Sequence, residues 1–509
     1  QKKFIEAPPD IPKQPLDKRS MLLLGGMSLF ALIIRLVQVH DLQAPLWLDG
    51  LIHTTLSSEI VDQGLIPSEQ LYHTGFHSLV AQLHWLTGID LPELTLGMGQ
   101  WISTLIGLSW FMLVYRLTGR HGAGLISAGM IWFISPFPAY LTTWSRYPFL
   151  FGLALLPLAI TASMSAIQSR EDLSRWLFAG LLVGSLGLVH YGMLLFWASG
   201  LIAWLLFVHL DLMHRQPATR LRLDRQSLTW LLGISVLILP IAIIGLARLA
   251  SPATRDTLGG MLNQDVLPLN VADLGYLLRL IFRTGGLWLA AAGLTGALLA
   301  FHQERRIATF ALGWFFLIAV FTGLALWFIA PGLGSFSNLI LFLPMLLALL
   351  TAPLDQILAG SVPLWMKSLV CAGLLMLILG GGLSIASQVN PRTVLFGPAD
   401  MEAMRWIEKN TPVSAQFQVS ALYWEEDEYQ PADGGGWIPL FTGRSIDFAD
   451  TPAEEDALYQ TACGHGSSYI YVGTRTGNLD RQLISASPDQ FHPLYASAGV
   501  MIYQSICQP

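Results

Sequence analysis

The stretch 20–53, SMLLLGGMSLFALIIRLVQVHDLQAPLWLDGLIH, begins with a nearly uninterrupted apolar run and ends on Asp49-Gly50-Leu51-Ile52-His53. About 20 predominantly apolar residues are enough for a helix to cross a bilayer, so residues 20–39 read as a membrane span. Beyond it, a carboxylate and an imidazole four residues apart share one face of a short helix. That helix would sit at the membrane boundary, where an apolar wall alters proton affinity.

Working outward, the same apolar pattern recurs along all but the last quarter of the chain. The 509 residues are 53% hydrophobic and only 12% charged, about half the charge density of soluble globular proteins. Candidate spans are 20–39, 95–116, 122–142, 148–167, 176–190, 191–212, 229–250, 284–302, 307–330, 338–352 and 366–388, about eleven in all. The long stretch 177–212 is divided at His190-Tyr191-Gly192. A net charge of -6, with no basic stripe interleaved with aromatics, does not imply a nucleic-acid partner, and none is expected.

Basic residues give an orientation. A cytoplasmic N-terminus collects Lys2, Lys3, Lys13, Lys18 and Arg19 on one side. Arg116 and Arg120, Arg170 and Arg175, Arg215, Arg220, Arg222 and Arg225, and Arg305 and Arg306 then join them, as the positive-inside rule requires. An odd number of spans places the C-terminus outside. The expected organisation is a cytoplasmic tail over 1–19, uncleaved from the first span, then a transmembrane domain over 20–389 and an extracytoplasmic α/β domain over 390–509.

The first external loop, 40–94, holds Asp49, His53, Glu59, His73 and His77. Its segments 49–63 and 74–87 read as short interfacial helices ended by Gly64 and Gly88. A second loop, 251–283, carries Arg255, Asp256, Asp265, Asp273, Arg279 and Arg283. In the tail, Asp400 reads as the cap of a helix over Met401–Asn410. Strand-like runs follow at Phe417–Ala421, Trp437–Phe441, Tyr469–Val472 and Val500–Gln504. Neither an internal repeat nor the inverted symmetry of many transporters is visible. Cys371 reads as packing within a span, while Cys463 and Cys507 are either bonded to each other or free thiols.

Each candidate site residue carries two readings. Asp49 is a general base or cation ligand, or it solvates the start of an interfacial helix. Arg146, in a short connection between apolar spans, grips a lipid phosphate or snorkels to headgroups. Arg279 and Arg283, one turn apart, form a second phosphate clamp or anchor the next span. His190 is a functional intramembrane group or a hydrogen-bonded core histidine. His73 and His77 join His53 around a metal or pack without one. Arg35, near the outer end of the first span, reads as a snorkelling arginine. Asp433-Gly434-Gly435-Gly436 either approaches a ligand or turns between strands. The acidic run Glu425 to Glu428 reads as a solvated loop or a calcium site.

Trp47-Leu48-Asp49-Gly50-Leu51-Ile52-His53 resembles the Asp-x-x-x-His pattern of oligosaccharyltransferase-like members of the GT-C superfamily of membrane glycosyltransferases. Tyr72-His73-Thr74-Gly75-Phe76-His77, Trp144-Ser145-Arg146-Tyr147-Pro148 and Val189-His190-Tyr191 are similar to segments of an uncharacterised prokaryotic branch. So are Trp406-Ile407-Glu408-Lys409-Asn410-Thr411-Pro412 and Asp433-Gly434-Gly435-Gly436-Trp437-Ile438-Pro439-Leu440.

The resemblance implies inverting transfer of a sugar from a polyprenyl-phosphate-linked donor to an extracytoplasmic acceptor. Asp49 and His53 would be catalytic, and Arg146, His190, Arg279, Arg283, His73 and His77 would bind substrate. Asp49 is the position to which a divalent cation, Mg or Mn, would be assigned. Neither an Asp-x-Asp pair nor a Trp-Trp-Asp signature is present, which argues against protein N-glycosylation. The expected location is the plasma (inner) membrane, among membrane lipids. The alternative is a non-catalytic GT-C-like scaffold, a subunit of a larger membrane complex; a transporter fits less well, because the spans carry few charges.

Overall fold

The computed structural model describes residues 17–64, 73–168, 172–215, 279, 286–303, 305–328, 335–360, 363–425, 428–448, 455–464, 469–475 and 477–507. Helix α1 (Lys18–Val39) starts where the Asp17 side chain accepts the Ser20 N–H at 2.6 Å. Ala31, Ile34, Arg35 and Gln38 form its buried stripe, at the three- and four-residue spacing of one helix face. The opposite face presents exposed Leu22, Leu29 and Phe30, as a lipid-facing surface would.

Helices α2 (Trp47–Gln63) and α3 (Gly75–Thr87) follow, ended by Gly64 and Gly88 at φ 67 and 70. This left-handed cap carries no Cβ penalty in glycine. Next come α4 (Leu91–Thr118) and α5 (His121–Gly129), the latter running into a π-type turn at Met130–Ile134. A 3-10 turn at Ala139–Trp144 leads to α6 (Tyr147–Gln168), α7 (Leu173–Val189) and α8 (Gly192–Arg215). Helices α9 (Gly286–Gln303), α10 (Arg305–Phe328), α11 (Ser335–Leu350) and α12 (Leu364–Ala386) complete the helical part.

The chain is a multi-pass membrane protein. Among the described residues five helices are long and apolar enough to cross a membrane, and five shorter apolar helices pack with them. The segment 229–250 and most of the second loop, including Arg255, Asp256, Asp265, Asp273 and Arg283, lie outside the described residues. The helix expected over 122–142 stops at Ile134, because Pro136 and Pro138 lack the N–H that would continue the ladder. Cys371, expected to be packed, is exposed on α12.

Lys18, Arg116, Arg120 and Arg175 gather at one end of the bundle. There Ser20 Oγ lies 3.5 Å from His121 Nδ1, Arg116 bonds Gln168, and Arg120 Nη2 pairs with Asp355 at 2.9 Å. Asp49 and the C-terminal part lie at the other end. The bundle core holds the fully buried Trp110, Trp132 and Trp314; Trp132 and Trp314 donate their indole N–H groups to the carbonyls of Thr104 and Phe196.

In the tail, α13 (Pro398–Asn410) precedes strands β1 (Gln416–Val419), β2 (Ala421–Glu425), β3 (Glu428–Pro431), β4 (Ser445–Phe448), β5 (Tyr469–Val472), β6 (Phe491–Ser497) and β7 (Val500–Ser505), with α14 (Glu455–Gly464) between β4 and β5. The five-stranded sheet runs β4-β1-β5-β7-β6. β1 is parallel to β4 and β5, β7 is antiparallel to its neighbours, and β2–β3 form a separate hairpin. Ala403, Met404 and Ile407 of α13 cover one face, and Leu458 of α14 with Ile484 covers the other. Cys463 and Cys507 are bonded to each other, tying the end of α14 to the chain after β7.

Two expectations for the tail are corrected. Asp400 is not the cap but the third residue of α13, accepting the Gly397 N–H at 2.8 Å. Trp437–Phe441 is helical rather than a strand, as the end of a 3-10 turn and the short helix Ile438–Thr442. Pro439 at its start and the left-handed Gly443 at its end are helix signals. The acidic run is split by the β2–β3 hairpin, and Glu426 and Asp427 lie outside the described residues.

Close approach of helices depends on a few glycines. A Cβ on Gly381 would collide with the backbone carbonyl of Phe133, whereas one on Gly380 would meet nothing within 4 Å. Gly381→Ala should therefore destabilise the bundle by about 1–3 kcal/mol. Gly380→Ala should be neutral or stabilise by up to about 1 kcal/mol. Thermal unfolding of the two variants in detergent checks this, and equal midpoints would contradict the packing.

Candidate active site

Asp49 lies in the first turn of α2. Gly50 makes the position possible: a Cβ there would lie 2.7 Å from Pro45 Cβ and 3.0 Å from Ser145 Oγ. The missing side chain lets the first turn of α2 press on the loop before α6. Across that contact Arg146 Nε stands 3.7 Å from Asp49 Oδ2, with the two side chains 45% and 37% exposed.

Backbone strain flanks both charges. Trp47, two residues before Asp49, has φ 58, and Ser145, immediately before Arg146, has φ 49. A non-glycine residue in the left-handed region costs of order 1 kcal/mol or more and is held only by its surroundings. The Trp47 and Trp144 rings meet edge to face at 5.4 Å. From the sheet, the turn after β5 places the Arg475 guanidinium 5.9 Å from the centre of the Trp47 ring, within cation–π range.

Burial raises the pKa of Asp49, and Arg146 pulls it back in part. A long, half-exposed ion pair contributes little to stability. What it provides is a carboxylate of raised basicity beside a fixed positive charge, both reachable from water.

Of the residues expected in the site, the structure brings Asp49 and Arg146 together. It does not join Asp49 to His53: among the described residues Asp49 is paired only with Arg146. His53 is buried, and its Nδ1 lies 3.1 Å from Nε2 of His77 on α3, one ring donating to the other. Burial, reinforced by His77, His73 and Arg146, holds His53 well below the ordinary histidine value. Burial also lowers His77 to about 4, so this pair is uncharged at neutral pH. The His73 ring lies tilted against that of His190, ring centres 4.6 Å apart, where α3 meets the junction of α7 and α8. Gly75 lies against the Leu188 carbonyl and fixes that meeting. Arg279 is exposed, and Arg283 is outside the described residues.

No three histidine, cysteine or acidic groups among the described residues converge enough to hold a metal ion, and Asp49 faces a guanidinium.

The sheet reaches the site through α2. Leu51 shares a core with Phe417, Val419, Trp437 and Tyr471, and Gly436 leaves room for the Leu51 side chain. Behind Arg475, Asp433 is fully buried, its oxygens accepting the N–H groups of Gly435 at 2.9 Å and Gly473 at 2.7 Å. The Asp433 loop is thus a turn clamped to the end of β5. Asp400 accepts the Tyr471 hydroxyl at 2.6 Å.

A family model described as "Family of unknown function (DUF6541)" matches residues 53–337, more than half of the chain. No curated protein matches. Solved structures share the fold, three of them as follows. An oligosaccharyltransferase of Archaeoglobus fulgidus, in complex with Zn and sulfate, aligns at 12% identity with a TM-score of 0.54, over 95% of this chain and 73% of its own. The arabinofuranosyltransferase AftD from Mycobacteria aligns at 16% and 0.59, over 98% and 40%. ArnT from Cupriavidus metallidurans, bound to undecaprenyl phosphate, aligns at 12% and 0.57, over 97% and 99%. The fold is GT-C-like.

Burial raises Asp433 to about 7. A carboxyl whose folded value lies above its unfolded one favours folding below the unfolded pKa, and that contribution is lost as pH rises through the folded value. For a shift from 3.8 to about 7 the loss is on the order of 4 kcal/mol. Protection of the Gly435 and Gly473 amides, corrected for intrinsic exchange, should fall between pH 5 and pH 8; unchanged protection would contradict a buried, titrating Asp433.

Proposed function

We propose that this chain, which belongs to the family of unknown function DUF6541, is a membrane glycosyltransferase using a polyprenyl-phosphate-linked sugar. The observation that carries the reading is the Asp49–Arg146 pair, 3.7 Å apart and half-exposed between two strained residues. The GT-C-like fold supports it, since its solved examples include glycosyltransferases. The ArnT example, bound to undecaprenyl phosphate, supports a lipid-linked donor.

In this reading an acceptor hydroxyl gives its proton to Asp49 as its oxygen attacks the anomeric carbon. The bond from that carbon to the phosphate oxygen breaks on the opposite face, inverting the centre. The leaving phosphate takes the electron pair, and Arg146 balances its charge. A base whose pKa is raised by burial suits the first role, and a preorganised cation at the developing charge suits the second. His53 and His77, buried and uncharged, position α2 against α3. His73 and His190 are the candidates for contact with sugar. The gathering of Lys18, Arg116, Arg120 and Arg175 at the opposite end supports placing the reaction on the extracytoplasmic face.

One observation favours a non-catalytic scaffold instead: among the described residues no three histidine, cysteine or acidic groups are gathered where they could hold a metal ion. Transfer from a radiolabelled polyprenyl-phosphate sugar separates the two. Asp49→Asn should lower turnover by about 10²–10⁴-fold, and Arg146→Gln by about 10²-fold, with the fold retained. Full turnover in Asp49→Asn would remove it from the chemistry, and no transfer by the wild-type chain to any acceptor would favour the scaffold.

A further inference from the structure

Arg35 is 1% exposed within α1. Neither Nη1 nor Nη2 has a hydrogen-bond partner, and no carboxylate among the described residues pairs with it. It lies four residues before the end of α1, about 6 Å below that end at the rise of an α-helix. An arginine so placed usually extends its head to the headgroups. This one turns inward instead, on the same buried stripe as Ala31, Ile34 and Gln38.

An uncompensated guanidinium in an apolar medium costs several kcal/mol. Removing the charge for leucine would relieve that cost, so its presence needs a compensating anion. Its neighbourhood is polar in the same unfinished way. Gln38, one turn on, donates Nε2 to the Ala139 carbonyl at 3.3 Å, while its Oε1 is unbonded. Thr142 lies one 3-10 turn beyond Ala139, on the same edge of that turn, and its buried hydroxyl is also unbonded.

We infer that Arg35 binds the phosphate of a lipid at a recessed position on the inner face of α1. The segment from Ala139 to Arg146 connects this position to the candidate active site. Arg35 sits within α1, buried about 6 Å below its end, whereas Arg146 is half-exposed in the loop before α6. Arg35 thus marks a second phosphate position, deeper than the reacting one, where a lipid waits or a spent carrier withdraws. Arginine suits this task because its planar fork bonds two phosphate oxygens at once. The identity of the lipid as donor or carrier rests on the transferase reading; the anion site does not.

The test is binding without sugar transfer, using the full chain in nanodiscs. A long-chain polyprenyl phosphate should raise the unfolding temperature of the wild-type protein, and the corresponding polyprenol, which lacks phosphate, should not. Arg35→Gln should weaken polyprenyl phosphate binding at least tenfold, and Arg35→Lys should weaken it less. Phosphatidylglycerol distinguishes the sources: equal stabilisation by it assigns the site to bilayer phospholipid, and selective stabilisation by polyprenyl phosphate assigns it to the carrier.

Two results would overturn the inference. One is a wild-type protein that neither phosphate lipid stabilises beyond the polyprenol. The other is Arg35→Leu that unfolds at a higher temperature and keeps wild-type phosphate-lipid affinity. Asp49→Asn that loses transfer but keeps binding would leave the site standing, so failure of the catalytic reading is distinguishable from failure of this one.

Discussion

The contact between the first turn of α2 and the loop before α6 is the constraint on which the site depends. Gly50 has no side chain, so α2 rests against Pro45 and Ser145. Without that approach Asp49 and Arg146, nearly a hundred residues apart in sequence, would not face each other. On either side of that contact Trp47 and Ser145 both adopt left-handed backbone conformations. Strain of that kind persists only where surrounding packing over-determines it. Here the surroundings are Trp144 against Trp47, Tyr147 beneath Gly99, and the sheet docked through Leu51.

A second theme is how polar groups are treated away from water. Arg120 has Asp355. Asp433 has two backbone N–H groups, and Asp400 has Gly397 and Tyr471. His53 and His77 share one hydrogen bond and stay uncharged. Against this background Arg35 stands apart, because burial without a partner is the costliest arrangement a guanidinium can have. Asp49 and Arg146 differ again: they remain partly wet and too far apart for a good hydrogen bond, which leaves both open to a ligand.

The sheet is more than an appended unit. Its parallel strands β4, β1 and β5 share one direction, and the turn after β5 carries Arg475 over the Trp47 ring. Ligands of open α/β sheets gather at the carboxyl ends of the strands, and that edge is the one facing α2. Arg475 was not visible as a site residue in the linear chain, because it lies among ordinary turn residues with no neighbouring motif. Trp47 carried a weak signal beside Asp49, but its strained backbone has no signature in composition.

Much of the helical part was legible because burial in lipid imposes a single rule on every residue of a span, and that rule survives in local composition. The short helices α2 and α3 were legible for a different local reason, the terminal glycines Gly64 and Gly88. Proline and glycine chemistry in the tail was present but misread: Pro439 and Gly443 mark a helix where the apolar run Trp437–Phe441 looked like a strand. The pairing of Cys463 with Cys507, left open by spacing, is a matter of how α14 and β7 pack. The sequence by itself determined that the chain is a bundle of membrane helices with a polar tail and an acid, Asp49, shortly after the first span. Only the tertiary structure decided that Asp49 meets Arg146 rather than His53, that the histidines pair among themselves, and that Arg35 turns inward. Those outcomes depend on distances between segments far apart in the chain, and side-chain periodicity carries no information about which helix face meets which.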